Sequence, residues 1–249
     1  MQQQLKLLRL KLKSSFYFTR YLKSILYKNA FLFLYKYNYM WEKIKIWFGF
    51  SKAIEKNEVE TMKKYLIVGL GNIGDKYANT RHNIGFKILD FFAKKESLSF
   101  ETVKLGDITT FKLKGRTIYF LKPSTYMNLS GKAVKYWLTK EKIPMQNLLV
   151  VTDDLNLPFG TLRFKTKGSD GGHNGLKDLQ DKLQTTKYNR FRFGISDSFS
   201  KGRQVDYVLG EWNEEEESNL DERLNKSADL IKSFVLAGTN HTMNAFNGK

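Results

Sequence analysis

Residues 65–74 read YLIVGLGNIG, a short apolar run followed at once by glycines. The run, which includes Ile and Val, predicts a buried strand over residues 65–68, and the glycines predict a turn directly after it. Gly69, Gly71 and Gly74 also match the G-x-G-x-x-G pattern of dinucleotide-binding folds. Whether this is a dinucleotide site therefore depends on whether a helix opens within these glycines.

The residues that follow argue against a dinucleotide site. Residues 75–82 show no helical period of apolar residues, so the next helix begins too late for its N-terminus to hold a pyrophosphate. Asp90, at about the distance of 20 residues where the ribose-binding acid is expected, falls inside that helix and not at the end of a second strand. A nicotinamide or flavin enzyme is therefore disfavoured.

Apolar periodicity predicts an α/β fold for the rest of the chain. Further strands are predicted over residues 117–121, 148–152, 161–164 and 191–195, and helices over residues 83–94 and 130–142. A long last helix should start after the N-cap Asn213, with a core face of Leu220, Leu224, Ile231 and Val235. Alternating strands and helices predict a single α/β domain with a twisted, mixed and mostly parallel sheet flanked by helices on both faces.

The composition changes sharply near Met62. Residues 1–61 are rich in Lys, Tyr, Phe and Leu and have no acidic residue before Glu42. They are expected to be either a basic, disordered extension that binds a surface, or upstream sequence translated from a misplaced start; the second is favoured because the first strand follows Met62 almost at once. Polar residues interrupt the aromatic stretch 30–50, so no transmembrane helix is predicted and a membrane partner is disfavoured.

The charge points to a polyanionic partner. The 249 residues contain 42 Lys and Arg against 25 Asp and Glu, a formal net charge of +17. Nucleic acid is the first candidate partner and an anionic membrane the second, although a lysine-rich proteome would give the same charge. The absence of cysteine excludes a disulfide framework, a thiol nucleophile and cysteine-ligated zinc, and it fits a reducing, cytoplasmic location.

Polar residues at strand-to-loop junctions form the candidate site. They are Asn72, His82, Asn128, Asp153, His173 and Asn174, the last two within GSDGGHNGLK at residues 168–177. A neutral His82 could take a proton from water while Asp153 fixes its tautomer, and asparagine amides could stabilise an oxyanion, as acyl transfer to water requires. The alternatives are turn and capping roles, or zinc held by both histidines and Asp153, which so few ligands make unfavourable.

Four segments together closely resemble the bacterial-type peptidyl-tRNA hydrolases, from about Met62 to the C-terminus. They are IVGLGNIGDKYANTRHNIGF at residues 67–86, STYMNLSGKAV at 124–134, DDLNLPFG at 153–160 and KGSDGGHNGLKD at 167–178. The resemblance implies that residues 62–249 form a catalytic domain that cleaves the ester between a peptide and the 3′ ribose of tRNA, recycling peptidyl-tRNA from stalled ribosomes. It further implies a cytoplasmic monomer that needs no metal, organic cofactor or stable protein partner.

The resemblance also assigns roles to residues of this chain. His82 matches the catalytic base, Asp153 the carboxylate that holds it, and Asn72 the residue that discriminates blocked from free aminoacyl groups. Lys165 and Arg192 match a basic clamp for the 5′ phosphate of tRNA. The remaining matches bind or line the site of the tRNA 3′ end and the peptide: Tyr77, Tyr126, Met127, Asn128, His173 and Asn174.

Three residues depart from the pattern of that family. Ile73 stands where proline is usual, and Thr152 and Asn156 replace residues that are commonly aromatic, His or acidic. None is expected to touch the base, so they bear on substrate affinity and not on activity. A non-catalytic RNA-binding protein on the same fold is the remaining alternative, and it is disfavoured because the complete set of candidate residues is present.

Overall fold

The computed structural model describes residues 39–40, 43–44, 61 and 63–247. The chain divides into two compact units, Met1–Glu58 and Val59–Lys249, and the second contains the sheet. Residues 1–61 were expected to be a disordered or wrongly included extension, and all but five of them lie outside the described residues, so that expectation stays a prediction. Within the described ranges, every helix is too short or too polar to cross a membrane.

Seven strands form one mixed sheet in the described part of the chain. They are β1 (Lys64–Gly69), β2 (Glu101–Val103), β3 (Gly106–Leu113), β4 (Arg116–Pro123), β5 (Leu148–Asp154), β6 (Leu162–Lys165) and β7 (Asn189–Gly194), in the order β2-β3-β4-β1-β5-β7-β6. The central strands β4, β1, β5 and β7 are parallel, whereas β2, β3 and β6 pair antiparallel at the two edges. The predicted mixed sheet is confirmed, but it is less parallel than predicted.

Helices cover both faces of the sheet, as predicted. They are α1 (Ile84–Lys95), α2 (Ser130–Glu141), α3 (Asn174–Leu183), α4 (Gln204–Val208) and α5 (Glu214–Phe246). On one face, Ile67 of β1 belongs to a core shared with α1 and α5; on the other, Leu66 and Val68 pack with residues of α2 and α3. This alternation is expected where a central strand is buried on both sides.

The last helix begins where the sequence predicts. Asn213 accepts a hydrogen bond from the Glu216 backbone N–H, and the Glu216 carboxylate accepts one from the Asn213 N–H, which together form a capping box. The predicted core residues Leu220, Leu224, Ile231 and Val235 are all buried. At Gly238, whose φ is 79°, the chain bends, so α5 consists of two helical pieces.

The glycines of the opening motif allow α1 to lie directly on the sheet. A Cβ added to Gly69 would stand 2.4 Å from the carbonyl oxygen of Gly85, and one added to Gly85 would stand 2.4 Å from the carbonyl oxygen of Leu70. Only glycine tolerates such a close approach of two backbones. The prediction that the helix begins too late for a dinucleotide motif is confirmed: a three-residue 3-10 turn, Asp75–Tyr77, follows Gly74, and α1 begins only at Ile84.

Candidate active site

A cavity of about 630 Å³ opens beyond the carboxyl ends of β1 and β5. This is the edge of an α/β sheet where ligands are expected. Ten of the eleven candidate site residues line it: Asn72, Tyr77, His82, Met127, Asn128, Asp153, Lys165, His173, Asn174 and Arg192. Tyr126 does not line the cavity, and its side chain is 55% exposed. The short 3-10 turn Met127–Leu129 begins directly after it, and Met127 is the residue that is buried and lines the cavity.

His82 and Asp153 meet although 71 positions separate them. The Nδ1 atom of His82 lies 3.0 Å from each carboxylate oxygen of Asp153. His82 lies in a turn of 3-10 helix, Arg81–Asn83, just before α1, and Asp153 lies near the end of β5. Among the described residues, none forms a hydrogen bond with His82 Nε2, so that nitrogen is available to the cavity.

The hydrogen bonds of the second histidine, His173, show which of its ring nitrogens carries the proton. His173 Nδ1 accepts hydrogen bonds from the backbone N–H groups of Gly175 (3.1 Å) and Leu176 (3.3 Å), at the start of α3. Its proton must therefore be on Nε2, which lies 2.9 Å from Asp153 Oδ1. Asp153 thus accepts from both rings. The His82 proton is held on Nδ1, and its Nε2 carries the free lone pair of a base.

The electrostatics of the pair favour an ionised Asp153. Burial alone lowers the pKa of His82, but the charge of Asp153 and the hydrogen bond between them outweigh burial, so the pKa of His82 lies above its ordinary value. Burial raises the pKa of Asp153, yet His82 and His173 together bring that pKa well below the ordinary carboxyl range. Asp153 can therefore stabilise an imidazolium as His82 takes up a proton.

The same three side chains are close enough to be considered as metal ligands. Their ligand atoms lie within 4.8 Å of one another. Coordination would, however, need a bare Nε2 on His173, and that nitrogen carries the proton because Nδ1 accepts from backbone N–H groups. The arrangement is better suited to proton transfer than to binding a metal.

Asn72 is held by a residue that the sequence analysis did not single out. The side chain of Asn83 accepts from the Asn72 N–H (2.8 Å) and donates to the Asn72 carbonyl (2.9 Å). The amide oxygen of Asn72 accepts from the Met127 N–H at 2.9 Å. Because its oxygen already accepts from Met127, the group that Asn72 has fully free for the cavity is its NH₂ group. In the sequence, only the position of Asn83 directly after His82 could have indicated that it belongs to the site.

The basic side chains at the cavity are less available to a ligand than the sequence suggests. Lys165 is exposed at the end of β6, whereas the guanidinium of Arg192 forms an ion pair with Asp154. The buried Arg190 donates to the carbonyls of Gly168 and Ser169, both at 2.6 Å, and so holds the glycine-rich loop. Neither Asp154 nor Arg190 was predicted from the sequence.

The three departures from the family pattern occupy different places. Thr152 lies inside the site, with its hydroxyl 2.7 Å from His173 Nε2, and it makes no hydrogen bond to His82. Asn156 lines the cavity, and its N–H donates to Asp154. Ile73 is 40% exposed and does not line the cavity.

One wall of the cavity comes from α4, which the sequence analysis did not predict. Gln204, Val205, Val208 and Leu209 face the cavity from this helix and the residue after it. Val205 is 65% exposed. A five-residue helix is too short for its apolar period to be recognised in a sequence.

The fold and the site define an enzyme of the hydrolase class, with a His–Asp pair over an amide-lined cavity. A family model described as peptidyl-tRNA hydrolase matches residues 66–249. The chain is similar to the peptidyl-tRNA hydrolase of Phocaeicola vulgatus (57% identical over 186 residues, 75% of this chain and 100% of that protein). It is also similar to that of Bacteroides fragilis (56% identical over 186 residues, with the same coverage).

A solved structure agrees with these sequence matches. The crystal structure of peptidyl-tRNA hydrolase from Acinetobacter baumannii is 34% identical, with a TM-score of 0.70 over 75% of this chain and 95% of that one. The chain therefore belongs to the peptidyl-tRNA hydrolase family, as its sequence motifs indicated.

Proposed function

We propose that this chain hydrolyses the ester between a peptide, or an N-blocked aminoacyl group, and the 3′ ribose of tRNA, with His82 as the general base. Membership of the family supports the reaction. The observation that supports the base is the His82–Asp153 contact of 3.0 Å, which leaves Nε2 free at the cavity. Carboxylate-oriented histidines of this kind activate water.

The reaction has two steps. Water attacks the ester carbonyl carbon as its proton passes to His82 Nε2, which gives a tetrahedral oxyanion and an imidazolium facing Asp153. The intermediate then collapses, the C–O bond to the ribose breaks, and the leaving 3′ oxygen takes the proton from Nε2. The products are tRNA with a free 3′ hydroxyl and a peptide with a free carboxyl group, which releases its proton to solvent; no electrons are exchanged.

The amides bind the substrate in this proposal. Asn72 offers an NH₂ group to the substrate's acyl part, and through it the enzyme distinguishes blocked from free aminoacyl groups. Asn128 and Asn174 are exposed at the cavity and donate to the 3′ end and the peptide. Neutral donors suit a carbonyl oxygen that gains charge in the transition state. Tyr77 and Met127 complete the lining.

The tRNA body is recognised by charge. Lys165 and Arg192, which both line the cavity, contact the 5′ phosphate, although the contribution of Arg192 is reduced by its ion pair with Asp154. We assign the protein to the cytoplasm, as a monomer that recycles peptidyl-tRNA from stalled ribosomes. It requires no metal, organic cofactor or stable protein partner.

The test is peptide release from N-blocked aminoacyl-tRNA by wild type and His82→Ala. Removing the base should lower kcat on the order of 10²–10⁴-fold, with little change in tRNA binding. His241→Ala is the matched control, because His241 is exposed on α5 and does not line the cavity. Full activity of His82→Ala would refute the base, and tRNA binding without hydrolysis by the wild type would favour the non-catalytic alternative.

A further inference from the structure

Arg81, the residue before His82, makes a buried ion pair that spans 135 positions of the chain. Its Nη2 lies 2.5 Å from Glu216 Oε2, and its Nε lies 3.3 Å from Glu216 Oε1. The two side chains are 9% and 8% exposed. A paired guanidinium of this geometry is directional, because both of its hydrogen bonds must align at once.

Aromatic rings enclose the guanidinium of Arg81. Its Cζ atom lies 4.4 Å from the ring centre of Tyr207 and 5.7 Å from that of Trp212. Its Nη1 also donates to the Tyr207 carbonyl at 3.4 Å. Tyr207 belongs to α4, the helix that forms one wall of the cavity. The side chain of Arg81 therefore joins the cavity wall to the first turn of α5.

The backbone makes the same connection. The Arg81 N–H donates to the Gly210 carbonyl at 3.0 Å, and Thr80 forms an antiparallel bridge with Glu211. On its other side, His82 is followed by Asn83, whose side chain clamps the backbone of Asn72. His82 thus stands between two anchors, each tied to a different wall of the cavity.

We propose that Arg81 is a positioning residue, which with Glu216 fixes the turn that presents His82 to Asp153 and couples it to the wall formed by α4. This inference rests on the proposed role of His82 as the base. Arg81 does not line the cavity, so it acts through His82 and not on the substrate. Misplacing a catalytic group by about 1 Å can cost on the order of 10²-fold in rate.

The decisive variant removes the pair without leaving a buried charge. Arg81→Met with Glu216→Met keeps side-chain volume, and such replacements commonly preserve stability. We expect a folded protein with kcat reduced about 10-fold to 10²-fold and a nearly unchanged KM. Arg81→Lys, which keeps the charge but loses the paired geometry, should show a smaller loss of the same kind.

The control removes an ion pair far from the cavity. Glu96→Met with Lys232→Met breaks the contact of 2.5 Å between α5 and the residue after α1, and it should leave kcat and KM unchanged. Asn213→Ala is a second control, because it removes the side-chain cap of α5 but keeps both partners of the Arg81 ion pair.

A pH profile separates positioning from a general loss of stability. The ionisable groups that face His82 are Asp153 and His173, and neither is altered in these variants. If the turn loosens, His82 moves away from the charge of Asp153, and the acidic limb of kcat/KM shifts to lower pH. The inference would be overturned if the Arg81 and Glu216 double variant had the same kcat and pH profile as the control. It would also be overturned if the loss of activity were no larger than the loss of folded protein. An inactive wild type would refute the proposed function instead.

Discussion

At the scale of single residues, the site depends on one carboxylate shared by two imidazoles. Asp153 accepts from His82 and from His173, and His173 can donate only because the start of α3 occupies its other nitrogen. The backbone at the start of α3 thereby sets the position of the proton on His173, the residue that caps this helix. His82 turns its Nδ1 to the same carboxylate, which leaves the Nε2 of the candidate base free.

The pH dependence of hydrolysis should report this pair. Only neutral His82 can take a proton, so kcat/KM should rise as pH increases through a pKa that lies above the ordinary histidine value. In Asp153→Asn the raising charge is gone and burial remains, so the acidic limb should move to lower pH. An asparagine NH₂ would also favour the wrong tautomer, and the maximal rate should fall on the order of 10²-fold or more.

Measuring kcat/KM from about pH 5 to 9, a range that brackets the ordinary histidine pKa, would check this expectation. The control is Asp90→Asn, since Asp90 is an exposed residue of α1 that pairs with Lys122 away from the cavity. An acidic limb that stays in place in Asp153→Asn would contradict the role of Asp153.

At the scale of elements, the position of His82 depends on how closely α1 approaches the sheet. The first turn of α1 contacts the end of β1 through Gly69 and Gly85. His82 precedes that turn by two positions, so any displacement of α1 moves the base as well.

Gly85→Ala should therefore destabilise the protein. Its new Cβ would meet backbone atoms of Leu70 at 2.4 and 2.5 Å and the Val151 carbonyl oxygen at 2.8 Å, none of which can rotate away. We expect a loss of about 1–3 kcal/mol in the free energy of unfolding, measured by urea denaturation, together with reduced kcat. Lys94→Ala, an exposed change on the same helix, should alter stability by less than about 0.5 kcal/mol. Equal stability of the two variants would show that α1 can shift freely.

The elements that the sequence analysis missed share a physical cause. Strands β2 and β3 lie at one edge of the sheet, where β2 has no buried residue, and α3 buries only Gly175, Leu176 and Leu179. Elements with so little buried surface have a weak apolar period, and pairing with neighbours decides their conformation. The predicted strands, by contrast, are mostly central and buried.

At the scale of the whole molecule, the charge of +17 should make substrate binding depend strongly on salt. Each phosphate that a lysine neutralises releases counterions, so the logarithm of the binding constant should fall linearly with the logarithm of salt concentration. Lys165→Ala should weaken tRNA binding and reduce that slope by about 0.7–0.9, the value for one phosphate contact.

Titrations of non-hydrolysable tRNA conjugates across a salt series would measure this slope. Lys112→Ala is the matched control, since Lys112 is exposed on β3 and does not line the cavity. Both variants lose one positive charge. If the slope of binding against salt concentration fell equally in both, Lys165 would make no specific phosphate contact.

The sequence by itself determined the family, the central strands, the three main helices and the candidate base with its carboxylate. These follow from local periodicity and from short motifs, whose residues are neighbours in the chain. The tertiary structure alone decided the edge pairings of the sheet, the proton on His173, the ion pair between Arg192 and Asp154, and that between Arg81 and Glu216. Each depends on contacts between distant segments or on a helix that no local pattern predicted, and only packing brings those groups together.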